Sequence, residues 1–251
     1  IGSMVEAATT SSSVVWGVGI MDQSPLSVAR PLHIGCVRGP LTRTRLIQRG
    51  LLGKDDRVTL GDPALLLASL IPDARKSSPI YDIGFVPHYA DKMAFKNLCS
   101  GVGGRVWNRI QGRIKPQVRL NVDANMTFCN INTTVIDVQG ECRHVIEKSG
   151  QCAFIVSSSL HGLIVADALG IPNTWIRLSD NLYGGSFKFI DYMLSVGRCD
   201  VQPVLPTGRI DKQFIARLLT RREQWSFQFD STSYRNAFDQ FLKSEYFRAC
   251  T

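Results

Sequence analysis

No apolar run in this 251-residue sequence approaches the roughly 18–20 residues that cross a bilayer as a helix. The start shows no charged region, apolar core and cleavage site in series, so no secretory signal is read there. The seven cysteines, at 36, 99, 129, 142, 152, 199 and 250, form no C-x-x-C pair, and Cys142 and Cys152 lack a histidine at zinc-finger spacing. Scattered and odd in number, they argue against a disulfide framework or a structural metal site and fit small buried hydrophobes in a reducing cytoplasm. Repeats and low-complexity tracts are absent. With 44% hydrophobic and 20% charged residues the chain is not intrinsically disordered. Acidic residues are the scarcer charge, 21 against 29 basic, for a net +8. That balance suits an anionic partner, whether a phosphorylated small molecule, nucleic acid or acidic lipid, without choosing among them.

What is present is an alternation of short β-branched runs with helical stretches. Residues 14–20 and 33–37 predict strands, and Pro40 to Arg49 a helix with Pro at its start and Gly50 at its stop. A strand at 58–60 then runs through Gly61-Asp62-Pro63 into an apolar helix ending at Leu70. After a polar linker, Pro72 to Pro79, the pattern restarts. Strands are expected at 80–87, 135–138, 153–157 and 174–178, with helices at 141–149 and 160–169. Two further helices are expected at 210–223 and 233–247, the last carrying an apolar stripe of Phe238, Phe241 and Leu242. Residues 91–133 are the least legible; their Gly-Val-Gly-Gly at 101–104 and the basic residues at 105–119 read as a loop. The β-α-β order predicts an α/β protein with parallel sheets: two Rossmann-like domains, 1–78 and 79–251, facing a cleft as in the GT-B architecture, with the C-terminal helix returning to the first. The first domain offers only about three strand-sized segments, so an initial strand–helix portion is expected ahead of residue 1.

The most informative segment is Ser157-Ser158-Ser159-Leu160-His161-Gly162, where a buried strand passes directly into a helix closed by Gly170 and Pro172. Serine hydroxyls and the N–H groups of a helix start form an anion site, and His161 falls in the first turn. Serines alone would be read as helix caps; a histidine directly after them at the mouth of an α/β sheet points to chemistry.

Together with Ala-x-x-x-Gly-Ile-Pro at 166–172, this segment resembles the signature of the polysaccharide pyruvyl transferase family, and further matches follow in order. They are Val14-Val15-Trp16-Gly17-Val18-Gly19, Val37-Arg38-Gly39-Pro40-Leu41-Thr42-Arg43, Gly61-Asp62-Pro63-Ala64-Leu65-Leu66 and Val86-Pro87-His88-Tyr89. Downstream, Phe187-Lys188-Phe189-Ile190-Asp191-Tyr192 with Gly197-Arg198 is similar to the ketal pyruvate transferases of exopolysaccharide assembly, the xanthan and succinoglycan type. The chain departs from the family pattern in lacking an initial N-x-G-D-like motif and in carrying Ser159 where many relatives have arginine.

The resemblance implies transfer of an enolpyruvyl unit from phosphoenolpyruvate to two hydroxyls of one sugar, with release of phosphate, closure of a cyclic ketal and no metal or redox cofactor. It implies a saccharide acceptor, lipid-linked, at the inner face of the cell membrane. In that chemistry His161 is the expected general acid/base, its ordinary pKa near 6.5 suiting proton transfer at neutral pH. Arg38 and Lys188 are expected to hold the donor's charges, and Ser157 and Ser158 to donate hydrogen bonds to its phosphate. Arg43 stands equally between donor binding and a solvated helix position. His88, at a strand end, is a candidate for orienting the acceptor, Asp62 reads as a cap before Pro63, and His33 and His144 as structural. A nucleotide-sugar glycosyltransferase would need a carboxylate for ribose hydroxyls, and Asp180 and Asp191 are the nearby ones. A non-catalytic glycan- or anion-binding protein is the reading from another class. Nucleic-acid binding rests on charge alone, in Arg105, Arg109, Arg113, Lys115 and Arg119 with one interleaved aromatic, Trp107, and is not expected.

Overall fold

A computed structural model of the chain describes residues 2–23, 29–100, 125–128, 131–206 and 208–248. They form two compact units, the first from residues 1–66, 183–201 and 226–251, the second from 67–182 and 202–225. The class is α/β with parallel strands in both. Among the described residues no helix is long and apolar enough to cross a membrane. The Gly-rich and basic segment at 101–119 lies outside the described residues, as do Cys129 and Cys250.

In the first unit, α1 (Val5–Ala8) precedes β1 (Val14–Val15). The predicted strand at 33–37 forms as β2 (His33–Ile34) and β3 (Cys36–Val37), interrupted at Gly35. It lies between β1 and β4 (Thr59–Leu60), parallel to both. A bridge from Val18 to Val37 extends the first pairing. Between them α2 (Pro40–Gln48) begins on Pro40 and stops at Gly50, whose φ of 68° is the left-handed conformation that ends helices. The core joins Val15, Ile20, Ile34, Val37 and Leu46 to Phe187 of α7 (Phe187–Ser195). The apolar stripe of α9 (Ser231–Leu242) is also core. Phe241 and Phe238 pack on Trp16 at ring distances of 4.7 and 5.1 Å. A short α10 (Glu245–Arg248) follows, and its Tyr246 stacks on His33 at 4.2 Å.

The second unit starts with α3 (Leu67–Leu70) and builds one five-stranded sheet. Its strands are β5 (Ile83–Val86), β6 (Asn125–Phe128), β7 (Ile131–Val135), β8 (Ile155–Ser157) and β9 (Asn173–Trp175), in the spatial order β6-β7-β5-β8-β9. All neighbours run parallel except the edge strand β6. Side chains alternate with the period-2 pleat. Ile83, Phe85, Phe154 and Val156 join one core with α4 (Lys92–Ser100) and α8 (Lys212–Glu223), through Phe95, Leu98, Phe214 and Leu218. Val86 and Ile155 join the other, with α5 (Cys142–Gly150) and α6 (Leu160–Ala168), through Ile146 and Ala166. The sheet is therefore covered on both faces, which is why its central strands β5 and β8 read as apolar runs.

Two expectations are corrected here. Pro72 to Pro79 is not a free linker: Ala74 is buried in the second core, and Gly150 lies so close that a Cβ there would meet the Ala74 carbonyl oxygen at 1.7 Å. The strand expected at 135–138 runs instead over 131–135, because Thr133 and Thr134 pair with Ile83 and Gly84, while Asp137 to Gly140 turns. With the polar Asn132, Thr133 and Thr134 at its centre, the two threonines buried, this strand carries only a weak apolar signal. The cysteines also divide. Cys36 and Cys152 are buried, and burial pushes both thiols up to about 12, whereas Cys142 and Cys199 are exposed.

Candidate active site

The chain leaves β5 toward β7 on one side, then crosses to β8 on the other side of β5 and continues outward to β9. Where connections diverge in this way, the loops at the carboxyl ends of the two central strands separate and leave a crevice, the usual ligand site of open α/β sheets. The loop after β5 carries His88, while β8 ends on Ser157 and passes through Ser158 and Ser159 into the first turn of α6, which holds His161. Four of the residues expected from the sequence are thus brought to one edge of one unit.

The hydrogen bonds there are specific. The His88 N–H donates to Ser158 Oγ at 2.9 Å, joining the two loops. The Ser157 hydroxyl lies 2.9 Å from the Val86 carbonyl and 2.8 Å from that of Ser159, and accepts from the Ser159 N–H at 3.0 Å. Ser157 is therefore committed to shaping the turn. Ser158 uses its oxygen as acceptor, which leaves its hydroxyl proton to donate. Helix α6 is N-capped by Ser159, whose side chain makes no capping bond to the first turn. His161, in that turn, is exposed. The next residue must be small: a Cβ on Gly162 would meet Ser157 Oγ at 2.4 Å and Val86 Cγ1 at 2.8 Å. The far end of α6 is anchored by its buried Asp167, which accepts from Asn173 Nδ2 at 2.6 Å and Trp225 Nε1 at 3.0 Å.

His88 is half-buried, and its Nδ1 accepts from the Ala90 N–H at 3.2 Å. In neutral imidazole the ring proton then sits on Nε2. Two further ties run along the same edge. Buried Asp91 accepts from Ser179 Oγ, drawing in the loop after β9, and Lys92 Nζ reaches Asp137 Oδ2 at 2.7 Å, drawing in the loop after β7. Neither tie was legible in the sequence, where this stretch has no motif.

The other expected residues belong to the first unit. Arg38 is fully buried at the end of β3. Its Nε donates to Asp191 Oδ2 at 3.1 Å, Nη2 donates to the Ile20 carbonyl at 2.7 Å, and Nη1 donates to Ser3 Oγ. Burial pushes the Arg38 guanidinium below its ordinary value, and the Asp191 carboxylate draws it back up. Asp191 also accepts from the Thr42 N–H at 2.9 Å and from Thr42 Oγ1 at 2.6 Å. Its backbone lies against Gly39, where a Cβ would meet the Asp191 carbonyl oxygen at 2.0 Å. The V-R-G-P-L-T-R and F-K-F-I-D-Y motifs thus meet through one buried carboxylate. Asp191, a motif residue and a candidate ribose partner by sequence, is instead a buried structural carboxylate, a role that no local pattern around it signals. Lys188 is 8% exposed, donates to the Tyr183 carbonyl at 3.0 Å and lies 5.8 Å from the Phe189 ring centre.

Arg43 clamps a surface loop, donating to the Lys54 and Asp56 carbonyls at 2.8 and 3.2 Å. It also lines an open depression of about 410 Å³ with Asp55, Asp56 and Arg57. That concavity has mixed charge and is remote in the chain from the serine turn; an anion site made of helix N–H groups needs no deep cavity. Asp62 caps as expected, its Oδ1 accepting from the Ala64 N–H at 3.0 Å.

Comparison with known proteins supplies the context for this geometry. The sequence model of the polysaccharide pyruvyl transferase family matches residues 14–180. The chain is 32% identical over 200 residues to an uncharacterised protein of Acanthamoeba polyphaga mimivirus, covering 78% of this chain and 59% of that one. It is 29% identical over 197 residues to the succinoglycan biosynthesis protein ExoV of Rhizobium meliloti, covering 78% of this chain and 50% of that one. The aligned region is therefore about half to three-fifths of the length of these curated relatives. No solved structure matches. With two thirds of its residues inside the family match, the chain belongs to the polysaccharide pyruvyl transferase family.

Proposed function

We propose that this chain binds phosphoenolpyruvate and transfers its enolpyruvyl group to two hydroxyls of a saccharide in exopolysaccharide assembly. The observation that carries the reading is the Ser157–His161 turn, placed at the diverging strand ends of a parallel sheet in a member of this family. The name of the Rhizobium meliloti relative, a succinoglycan biosynthesis protein, supports a polysaccharide setting. In this reading the donor's anionic group lies on the first-turn N–H groups of α6 with the Ser158 hydroxyl, where the positive end of the helix dipole stabilises it.

Each proton and leaving group in the reaction has a destination. His161 delivers a proton to carbon 3 of the donor, leaving carbon 2 cationic, and a first sugar hydroxyl adds there and returns its proton to the now neutral His161. A second hydroxyl of the same sugar displaces phosphate from carbon 2, its proton passing to the leaving group. The products are a cyclic pyruvate ketal and inorganic phosphate. An anion bound beside His161 favours its protonated form, the form a general acid needs. Arg38 serves as a positioning residue that, through Asp191, fixes the start of α2. The cleft between two Rossmann-like units, the lipid-linked acceptor and a site at the inner membrane face all belong to this same reading, and the net charge of +8 suits an anionic leaflet.

Donor binding tests the proposal whichever sugar is the acceptor. A ligand at 100 times its dissociation constant stabilises a fold by about 2.7 kcal/mol. The unfolding temperature with excess phosphoenolpyruvate should rise well above the inorganic phosphate control, and the rise should shrink in Ser158→Ala and His161→Ala. A folded wild type that shows no donor-specific shift would overturn the reading.

A further inference from the structure

Tyr89 is a large aromatic left in water at the edge where ligands are expected. It is 52% exposed and follows His88 directly at the carboxyl end of β5. Exposure there is not slack. The ring lies 4.1 Å from the His88 ring, centre to centre, and His88 is held by its N–H to Ser158 and by Ala90 to its Nδ1. Two residues on, the buried Asp91 accepts from Ser179 Oγ, and that hydroxyl also accepts from the Asn181 N–H at 3.1 Å. The loop after β9 is therefore fastened to the Tyr89 turn. That loop presents Asp180, 84% exposed and paired with Arg177.

An exposed aromatic backed by a held histidine, with charged groups on a loop bonded to the same turn, suits a ligand with one apolar face and a polar rim. A pyranose has that character: its axial C–H groups form a patch that packs on an aromatic ring, while its hydroxyls circle the edge. A carboxylate and a guanidinium, each with paired hydrogen-bonding atoms, match vicinal hydroxyls. We propose that Tyr89 is the stacking platform of a saccharide subsite, with Asp180 and Arg177 hydrogen-bonding the hydroxyls of the stacked sugar. That this sugar is the acceptor rests on the pyruvyl-transfer reading above. Asp91 is a positioning residue, acting through Ser179.

Saturation-transfer NMR detects weak sugar binding without turnover. Methyl β-D-glucopyranoside and methyl β-D-galactopyranoside at millimolar concentration are the probes, with the full chain as receptor. The expected result is transfer to the ring C–H protons of at least one probe. It should fall several-fold in Tyr89→Ala, persist in Tyr89→Trp and weaken in Asp180→Ala. Unchanged transfer in Tyr89→Ala, or no transfer from wild type to either probe, overturns the subsite. The phosphoenolpyruvate shift, measured on the same samples, should be unaffected by Tyr89→Ala. Sugar binding that depends on Tyr89 without any donor shift in wild type would retain the subsite and reject the pyruvyl-transfer reading.

Discussion

Replacing Asp191 by asparagine keeps the volume of the side chain and removes the charge against which Arg38 is buried. In the native protein the carboxylate receives three hydrogen bonds, from Arg38 Nε at 3.1 Å, Thr42 N at 2.9 Å and Thr42 Oγ1 at 2.6 Å. Asparagine offers one acceptor oxygen in place of two and turns an NH₂ toward at least one of these donors. The guanidinium stays fully buried, now without the carboxylate to which it donates and with only Asp62 as a nearby opposite charge. Removing one member of a buried, hydrogen-bonded ion pair costs about 3–5 kcal/mol. For chains of this size that corresponds to a fall in Tm of roughly 6–20 °C, at about 2–4 °C per kcal/mol. Urea and thermal unfolding followed by circular dichroism would measure it. Arg38→Met combined with Asp191→Leu should restore part of the loss, giving a coupling of about 0.5–3 kcal/mol in a double-mutant cycle. Stability of Asp191→Asn within about 1 kcal/mol of wild type, or a cycle with no coupling, would refute the claim that this pair holds the two motifs together.

Two other consequences follow from packing and burial. Gly162→Ala should gain about 1 kcal/mol of helix propensity yet lose about 1–3 kcal/mol to the clash with Ser157 Oγ and Val86 Cγ1, leaving a lower Tm and a weaker donor shift; a stabilised variant with intact donor binding would show that the serine turn yields freely. Burial lowers the pKa of His33, so the unfolded chain binds the proton more readily than the native one. The stability contributed by neutral His33 is therefore complete above its ordinary value near 6.5 and is lost as pH falls below it. Between pH 7 and 5 the wild type should lose stability more steeply than His33→Phe, and parallel curves for the two would contradict this.

The segments legible in the sequence were those whose own residues carry the reason for their structure. Helix α2 is written between Pro40 and Gly50, and β8 with α6 in an apolar run that meets serines and then an apolar helical face. The turn at Asp62 was legible because Asp-Pro states its own capping. Illegible segments depend on partners. Strand β7 has only Ile131 and Val135 as apolar residues, at its two ends, and is a strand because β5 and β6 pair with it. The Pro72–Pro79 stretch reads as a linker until Gly150 lets Ala74 come close.

The candidate site divides along the same line. Residue type and local order alone pointed to a serine turn, a histidine in the first helical turn and an anion, because those chemical capacities belong to the side chains and to the helix end. The family resemblance also brought out the motifs containing Arg38, Thr42 and Asp191. Only the tertiary structure decided that Asp191 closes on Arg38 across 153 residues, that His88 and Ser158 share a hydrogen bond, and that Asp91 holds Ser179. A hydrogen bond acts over about 3 Å, and which groups come that close is set by strand order and packing, not by distance along the chain.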